Sequence, residues 1–312
     1  ADRKTFLRER SAMAVRYRFS ERNRNSFDGW VLALPYLLLF VCFTVVPVAV
    51  SLFFGFTSFN VLQPPRFIFL DNYIQLLLED EVFLVALKNT LIFAAVTGPL
   101  GYLLCFFFAW CLNEMPHHLR TGLMLLLYAP SISGNAYLMW TLLFSGDSNG
   151  YVNGLLLRLG MIYEPIRYFQ NPSYMVPLVL MVILWMSLGT SLLVFVAGFR
   201  GIDRSLYEAG AVDGVRNRWQ ELWYITLPAM RPQLMFAAVM SITSSFGVGD
   251  VITGLVGFPS YKYMAHTLMH HLQDYGGMRF EMGYASAIAT ILFIIMVGGN
   301  MVIQRILAKV GD

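Results

Sequence analysis

The chain has 312 residues, 57% of them hydrophobic and only 13% charged, about half the charged share of a soluble globular domain. Its 22 Lys and Arg and 19 Asp and Glu cannot clothe a soluble protein of this length, which excludes a secreted enzyme, a soluble binding module and a disordered regulator. A net charge of +3 is too small to point to nucleic acid.

Residues 1–29 form a basic segment carrying Arg3, Lys4, Arg8, Arg10, Arg16, Arg18, Arg22 and Arg24. No short apolar core with a small-residue cleavage site follows, so no removable signal peptide is expected. The segment reads as an orientation signal with some attraction for anionic membrane lipid. Six charge-free apolar runs of about 20 residues or more then follow, long enough to cross a bilayer. They are Trp30–Phe59, Asn89–Leu112, Thr121–Gly146, Tyr174–Phe199, Pro232–Gly249 and Met282–Gln304. These runs predict an all-α integral membrane protein, with a membrane-spanning body over 30–307 and a short tail over 308–312. Cys42, Cys105 and Cys111 fall in or beside apolar runs and are expected to be small buried hydrophobes.

Sorting Lys and Arg by the connections between spans puts sixteen on the side of the termini and six on the other. Cytoplasmic segments carry the positive excess, so both termini are expected inside. The longest internal connection, 200–231, is neither Gly/Ser-rich nor of disordered composition, and a structured element is expected there.

Within it, Ser205 can cap a short helix running through Glu208, and Gly214 can end that helix in a chain reversal. A second short helix is expected from Asn217 to Tyr224, with Pro228 and Pro232 stopping it and starting the fifth span. The small residues Ala209, Gly210 and Ala211 offer a surface for close approach to another protein.

This segment resembles the Glu-Ala-Ala loop of permease subunits of binding-protein-dependent ABC importers, of the carbohydrate type. The pattern is met by Glu208-Ala209-Gly210, then Asp213-Gly214, then Ile225-Thr226-Leu227-Pro228, with Gly210 in place of the second alanine. Phe69-Leu70-Asp71-Asn72-Tyr73 with Lys88-Asn89-Thr90-Leu91, and Gly283-Tyr284-Ala285-Ser286-Ala287, are similar to other stretches of sugar permeases. The resemblance implies a cytoplasmic coupling helix-turn-helix between the fourth and fifth spans, in a prokaryotic plasma membrane. It also implies a second, unlike permease, two ABC ATPase subunits, an extracytoplasmic solute-binding protein and a carbohydrate cargo. ATP and Mg are expected on the ATPase subunits and no cofactor on this chain, which has no Gly-x-x-x-x-Gly-Lys-Ser/Thr loop.

Polar groups at membrane depth are costly and face a cavity or another helix. Candidates for the substrate path are Trp185 and Thr190 in the fourth span, and Ser244, Phe246 and Asp250 in or beside the fifth. Asn135 and Tyr137 in the third are further candidates. Small polar residues in such helices more often serve packing, and Asp250 can equally mark the outer end of its span. His266 and His270 stand at i, i+4 spacing, but Thr267 occupies the place of a metalloprotease Glu, so an external surface helix is expected rather than a metal site. An ion-coupled secondary transporter stays open as an alternative, although Asp250 is the one carboxylate near membrane depth. A membrane-embedded enzyme would need a converging catalytic set that no span supplies.

Overall fold

The computed structural model describes residues 32–308; the basic segment 1–29 and, apart from Ala308, the tail 308–312 lie outside them. The chain divides into two units, Ala1–Phe53 and Phe54–Asp312. The first is represented by α1 (Leu32–Phe54), an apolar helix with one π turn at Val41–Val45. It ends five residues short of the expected Phe59, because Thr57–Ser58 (β1) pairs antiparallel with Arg66–Phe67 (β2).

The second unit continues with α2 (Asp71–Leu78) and α3 (Glu81–Asn113). Helices α4 (His117–Ser133), α5 (Leu138–Leu143) and α6 (Tyr151–Arg158) follow. Next come α7 (Pro172–Met186), α8 (Thr190–Gly201) and α9 (Arg204–Val212). The remainder comprises α10 (Arg218–Ala229), α11 (Arg231–Phe246), α12 (Gly249–Val256), α13 (Leu268–Gln273) and α14 (Met282–Ala308).

Among the described residues, α1, α3 and α14 are individually long and apolar enough to cross a membrane, and counting each bent pair as one span raises the number to five. The third expected span is not a continuous helix: α4 stops at Gly134, whose φ of +61° is left-handed backbone. The fourth bends by 43° between α7 and α8. The fifth stops at Phe246 and restarts at Gly249. Glycines at or beside all three breaks explain them, since an apolar run sets the span but not its continuity.

Helix α3 shows why this region is helical and which way it faces. Phe83, Ala86, Thr90, Phe93, Thr97, Gly101, Cys105, Ala109 and Leu112 recur every three or four residues and are buried. Leu84, Leu91, Leu103 and Phe107 lie off that stripe and are exposed, as suits a wall facing hydrocarbon or another subunit. Asp80 caps the helix by accepting from the Phe83 N–H at 2.8 Å. The stripe packs on α8 and α11, where Phe195 meets Tyr102 and Phe106 edge-on at 5.3 and 5.4 Å between ring centres. Of the cysteines, Cys105 is buried here and Cys111 half-buried, whereas Cys42 on α1 is exposed, contrary to expectation.

Lipid is as apolar as the side chains, so contact quality rather than water exclusion holds such helices together, and small residues permit it. A Cβ on Gly101 would lie 2.8 Å from the Ser187 hydroxyl, and one on Gly198 would lie 2.6 Å from the Met230 methyl. Gly283 is tightest: its N–H donates to the Phe59 carbonyl at 2.8 Å, and a Cβ there would collide with the Thr57 carbonyl oxygen. Backbone cannot step aside as a side chain can. Gly283→Ala is therefore expected to cost about 1–3 kcal/mol. Gly299→Ala, where a Cβ meets nothing within 4 Å, serves as the control. Thermal unfolding of the two purified variants in detergent checks this, with a lowered midpoint for Gly283→Ala alone.

Candidate functional site

The loop from Asp203 to Met230 folds as two short helices in contact. Asp203, not Ser205, caps α9, because its carboxylate accepts the Ser205 N–H at 3.0 Å; the Ser205 N–H and hydroxyl hold the Asp203 carboxyl below its ordinary value. At the other end the Val215 N–H reaches the Gly210 carbonyl at 2.9 Å and the Gly214 N–H the Ala211 carbonyl at 3.4 Å, closing a Schellman turn. The turn places Gly214 at φ +95°. Asn217 then caps α10 by accepting the Gln220 N–H at 2.8 Å.

Gly210 is buried where α9 lies on α10, and a Cβ there would come within 2.5 Å of the Ile225 side chain. The two halves of the motif thus touch through Gly210 and Ile225, and the Tyr207 hydroxyl lies 3.0 Å from Thr226 Oγ1. Leu227 packs against the core of α3, α8 and α11. Glu208, Ala209, Asp213, Gly214 and Pro228 are exposed. Pro228 does not stop its helix: the ladder passes from Leu227 N–H to Leu222 O, five residues back, to Met230 N–H to Thr226 O, four back. The proline sits at that changeover, where its missing donor costs nothing. The break comes at Met230, and α11 leaves at 80°.

Arg218 fixes this loop to α3. It reaches Glu114 at 2.9 Å and Glu221 at 2.8 Å, and Trp219 packs on Trp110 with ring centres 5.1 Å apart.

Midway along α3, the breaks in α4, α7–α8 and α11–α12 gather around a cleft of about 240 Å³. Its wall carries six hydroxyls, from Thr97, Ser131, Ser187, Ser241, Ser244 and Ser245. Each donates to a carbonyl: Thr97 to Phe93, Ser131 to Tyr128, Ser187 to Leu184, Ser241 to Gly98, Ser244 to Ser241 and Ser245 to Ile242, all at 2.7–2.9 Å. Their oxygens keep lone pairs for a visiting donor.

Of the path candidates, the structure puts Ser244 in this wall. Phe246 is buried against Ala94 and Ile242, and Asp250 is exposed in the first turn of α12. Trp185 packs edge-on against Trp140 at 5.5 Å between ring centres, and Thr190 is exposed at the start of α8. Asn135 is exposed and accepts the Tyr137 hydroxyl at 3.2 Å, while the Tyr137 ring lies against Gly254. Thr97 and Ser131 were not among the candidates. Their signal was available, since each neighbours a proline within an apolar run, in Thr97-Gly98-Pro99 and Pro130-Ser131.

The opposite end of α3 carries a second polar knot, missed in the sequence. Beyond capping α3, Asp80 lies 3.0 Å from His271 Nε2 and accepts hydroxyls from Tyr284 at 2.9 Å and Tyr275 at 3.4 Å. Burial opposes its charge, yet the Phe83 N–H, His271 and Tyr284 together hold the carboxyl below the usual carboxylate value. Asn89 donates to the Tyr263 and His266 carbonyls, and Thr90 accepts the Leu268 N–H. His266, His270 and His271 are each no more than 3% exposed, which corrects the surface-helix expectation. Among the described residues no three His, Cys, Asp or Glu side chains are arranged to hold a metal.

The chain matches no protein-family model. It is 32% identical to the probable ABC transporter permease protein YesP of Bacillus subtilis, over 88% of each chain. It is 29% identical to the lactose transport system permease protein LacF of Rhizobium radiobacter, over 77% of this chain and 80% of that one. Its fold matches a chain in the crystal structure of a bacterial ABC transporter that imports the acidic polysaccharide alginate. That match has a TM-score of 0.73 at 23% identity and covers 94% of this chain and all of the other. Apolar helices in this fold define a multi-pass membrane protein. The chain belongs to the family of ABC transporter permease proteins.

Burial, and then the neighbouring imidazoles, push the His266 side chain down to about 4; burial does the same for His270. Unfolded, both titrate near 6.5, so between about pH 6.5 and 4 the unfolded chain binds more protons and stability falls as pH drops. Melting curves of the detergent-purified protein should show a midpoint that declines from pH 7 to 4.5, with a shallower decline for His266→Phe.

Proposed function

We propose that this chain is the permease subunit of an ATP-driven importer that carries a carbohydrate from an external binding protein across the prokaryotic plasma membrane. The observation that carries the reading is the packed loop at Glu208–Pro228, in a chain whose relatives include a lactose permease. Transport is its role; ATP and Mg belong to two partner ATPase subunits, and a second, unlike permease supplies the other half of the path. Positive-charge bias puts both termini and the 203–230 loop inside, and the 258–281 segment outside.

In this reading Glu208, Ala209, Asp213 and Gly214 present the exposed surface that docks on an ATPase, while Gly210, Ile225 and Leu227 seat the loop on the bundle. Rigid docking is what a lever needs. Motion of the ATPase pair passes through Arg218 to Glu114 and along α3, and through the 80° turn at Met230 into α11. Both helices reach the cleft, whose hydroxyl oxygens suit the O–H donors of a sugar. Ser244 is the path residue the geometry favours most. Asp250, Trp185, Thr190, Phe246, Asn135 and Tyr137 stand outside the wall itself.

Uptake of a labelled sugar panel into vesicles holding the reconstituted complex tests this. Glu208→Lys is expected to reduce ATP-driven uptake more than tenfold with assembly intact. Gly214→Asp is expected to do the same, because φ +95° costs a residue with a Cβ about 1–2 kcal/mol. Uptake that persists without any ATPase would instead make the chain an ion-coupled transporter. A further variant, Ser244→Leu, fills the cleft and is expected to lower uptake while leaving ATPase activity stimulated by the binding protein in place.

A further inference from the structure

At the 258–281 end of the bundle lies a cavity of about 350 Å³, at the lower end of the ~300–1,000 Å³ range of small-molecule sites. His266 and His271 line it, with Phe258, Tyr263 and Tyr275 as aromatic wall. It is not the serine cleft: Asp80 at its edge and Thr97 in the cleft are seventeen residues apart on α3, roughly 25 Å.

The histidines make the cavity more than a packing gap. His266 is 2% exposed, and neither ring nitrogen has a hydrogen-bond partner among the described residues. His271 turns Nε2 to Asp80 and leaves Nδ1 without a partner. Leaving such buried atoms unmet costs about 1–3 kcal/mol each. The rest of the lining narrows what meets them. Asp274 is paired with Arg279 at 2.6 Å, and the Asp80 oxygens already take the Phe83 N–H, His271 and two tyrosine hydroxyls. No full charge is left over to receive an ion. A neutral imidazole offers one donor and one acceptor, as a hydroxyl does, and the aromatic rings can cover apolar C–H faces.

We propose that this cavity binds one neutral, hydroxyl-rich unit, a monosaccharide or a polyol, at the end of the bundle opposite the 203–230 loop. The proposal rests on the carbohydrate reading only for the choice of solutes. An acidic sugar is disfavoured, because the lining leaves no unpaired cation to receive its carboxylate: Arg279 is already held by Asp274.

The test is equilibrium binding of labelled solutes to the whole complex in nanodiscs, without ATP or binding protein. The probes are glycerol, D-glucose, D-galactose, D-mannose, L-arabinose and L-rhamnose, with D-galacturonate as the acidic counterpart. At least one neutral probe should bind, and galacturonate about tenfold more weakly or not at all. His266→Phe should weaken that binding about tenfold, the loss of one hydrogen bond to a buried group. Met278→Trp fills the cavity from its exposed rim with the histidines intact, and should do the same; this guards against misfolding of the first variant. Gly299→Ala, where an added Cβ meets nothing within 4 Å, should leave the binding unchanged, and glycerol against the sugars separates polyol from monosaccharide. If no neutral probe shows binding sensitive to both cavity variants, the cavity holds only water and the proposal is wrong. ATP-driven uptake by the wild type, measured beside it, reports separately on the transport reading.

Discussion

Everything in the second unit hangs on α3, a helix of 33 residues held at both ends and unbroken between them. At 1.5 Å per residue it spans about 50 Å, more than the hydrocarbon core of a bilayer, so its two ends project on opposite sides. Asp80 ties one end to α13 and α14, and Glu114 beyond the other end takes Arg218 from the 203–230 loop. The two ties differ in worth. The Arg218 bridge is exposed and contributes little to stability, whereas Asp80 is half-buried with four donors, and losing any would leave polar atoms unmet.

Between those ends the constraint is backbone satisfaction. Water does not reach the middle of a bilayer, so a helix can break there only where its freed groups find partners or face a wet cavity. Three breaks meet at one cleft, and hydroxyls from four helices converge on it, each bonded to a carbonyl. The same small residues permit close helix contact, as at Gly98 against Ser245 and Gly189 against Ser131. Packing and polarity come from one choice of residues. A packing role and a path role for these serines are therefore not rivals.

Much of this was legible in the chain before any coordinates. The apolar runs coincide with α1, α3 and α14, and the spacing from Glu208 to Pro228 with a pair of short helices, because both depend on local sequence. What was illegible depends on contacts between distant residues. In sequence Asp80 is one of three consecutive acidic residues with Glu79 and Glu81, and only the return of His271, Tyr275 and Tyr284 makes it a knot. The i, i+4 spacing of His266 and His270 suits an external surface helix, but the segment folds back onto Asn89 and Thr90 and buries them. Pro228 looked like a stop, and a π turn that no propensity rule anticipates absorbed it. Individual path residues are not legible in the chain, since a Ser or Trp at membrane depth has no sequence signal for which neighbour it faces.

The placement of breaks bears on how such a bundle can move. The ladder is open at Gly134, at Ser187–Gly189 and at Gly247, and Ser187 and Gly247 line the cleft. Helix α3 has Pro99 inside it yet no break, because its neighbours hold that turn: Ser241 bonds the Gly98 carbonyl and the Tyr102 hydroxyl reaches the Leu234 carbonyl at 3.4 Å. In the proposed reading, a push delivered to the 203–230 loop would meet a continuous helix in α3 and broken ones in α4, α7–α8 and α11–α12. A mechanism that opens and closes a path for cargo needs that partition between a fixed strut and hinged walls.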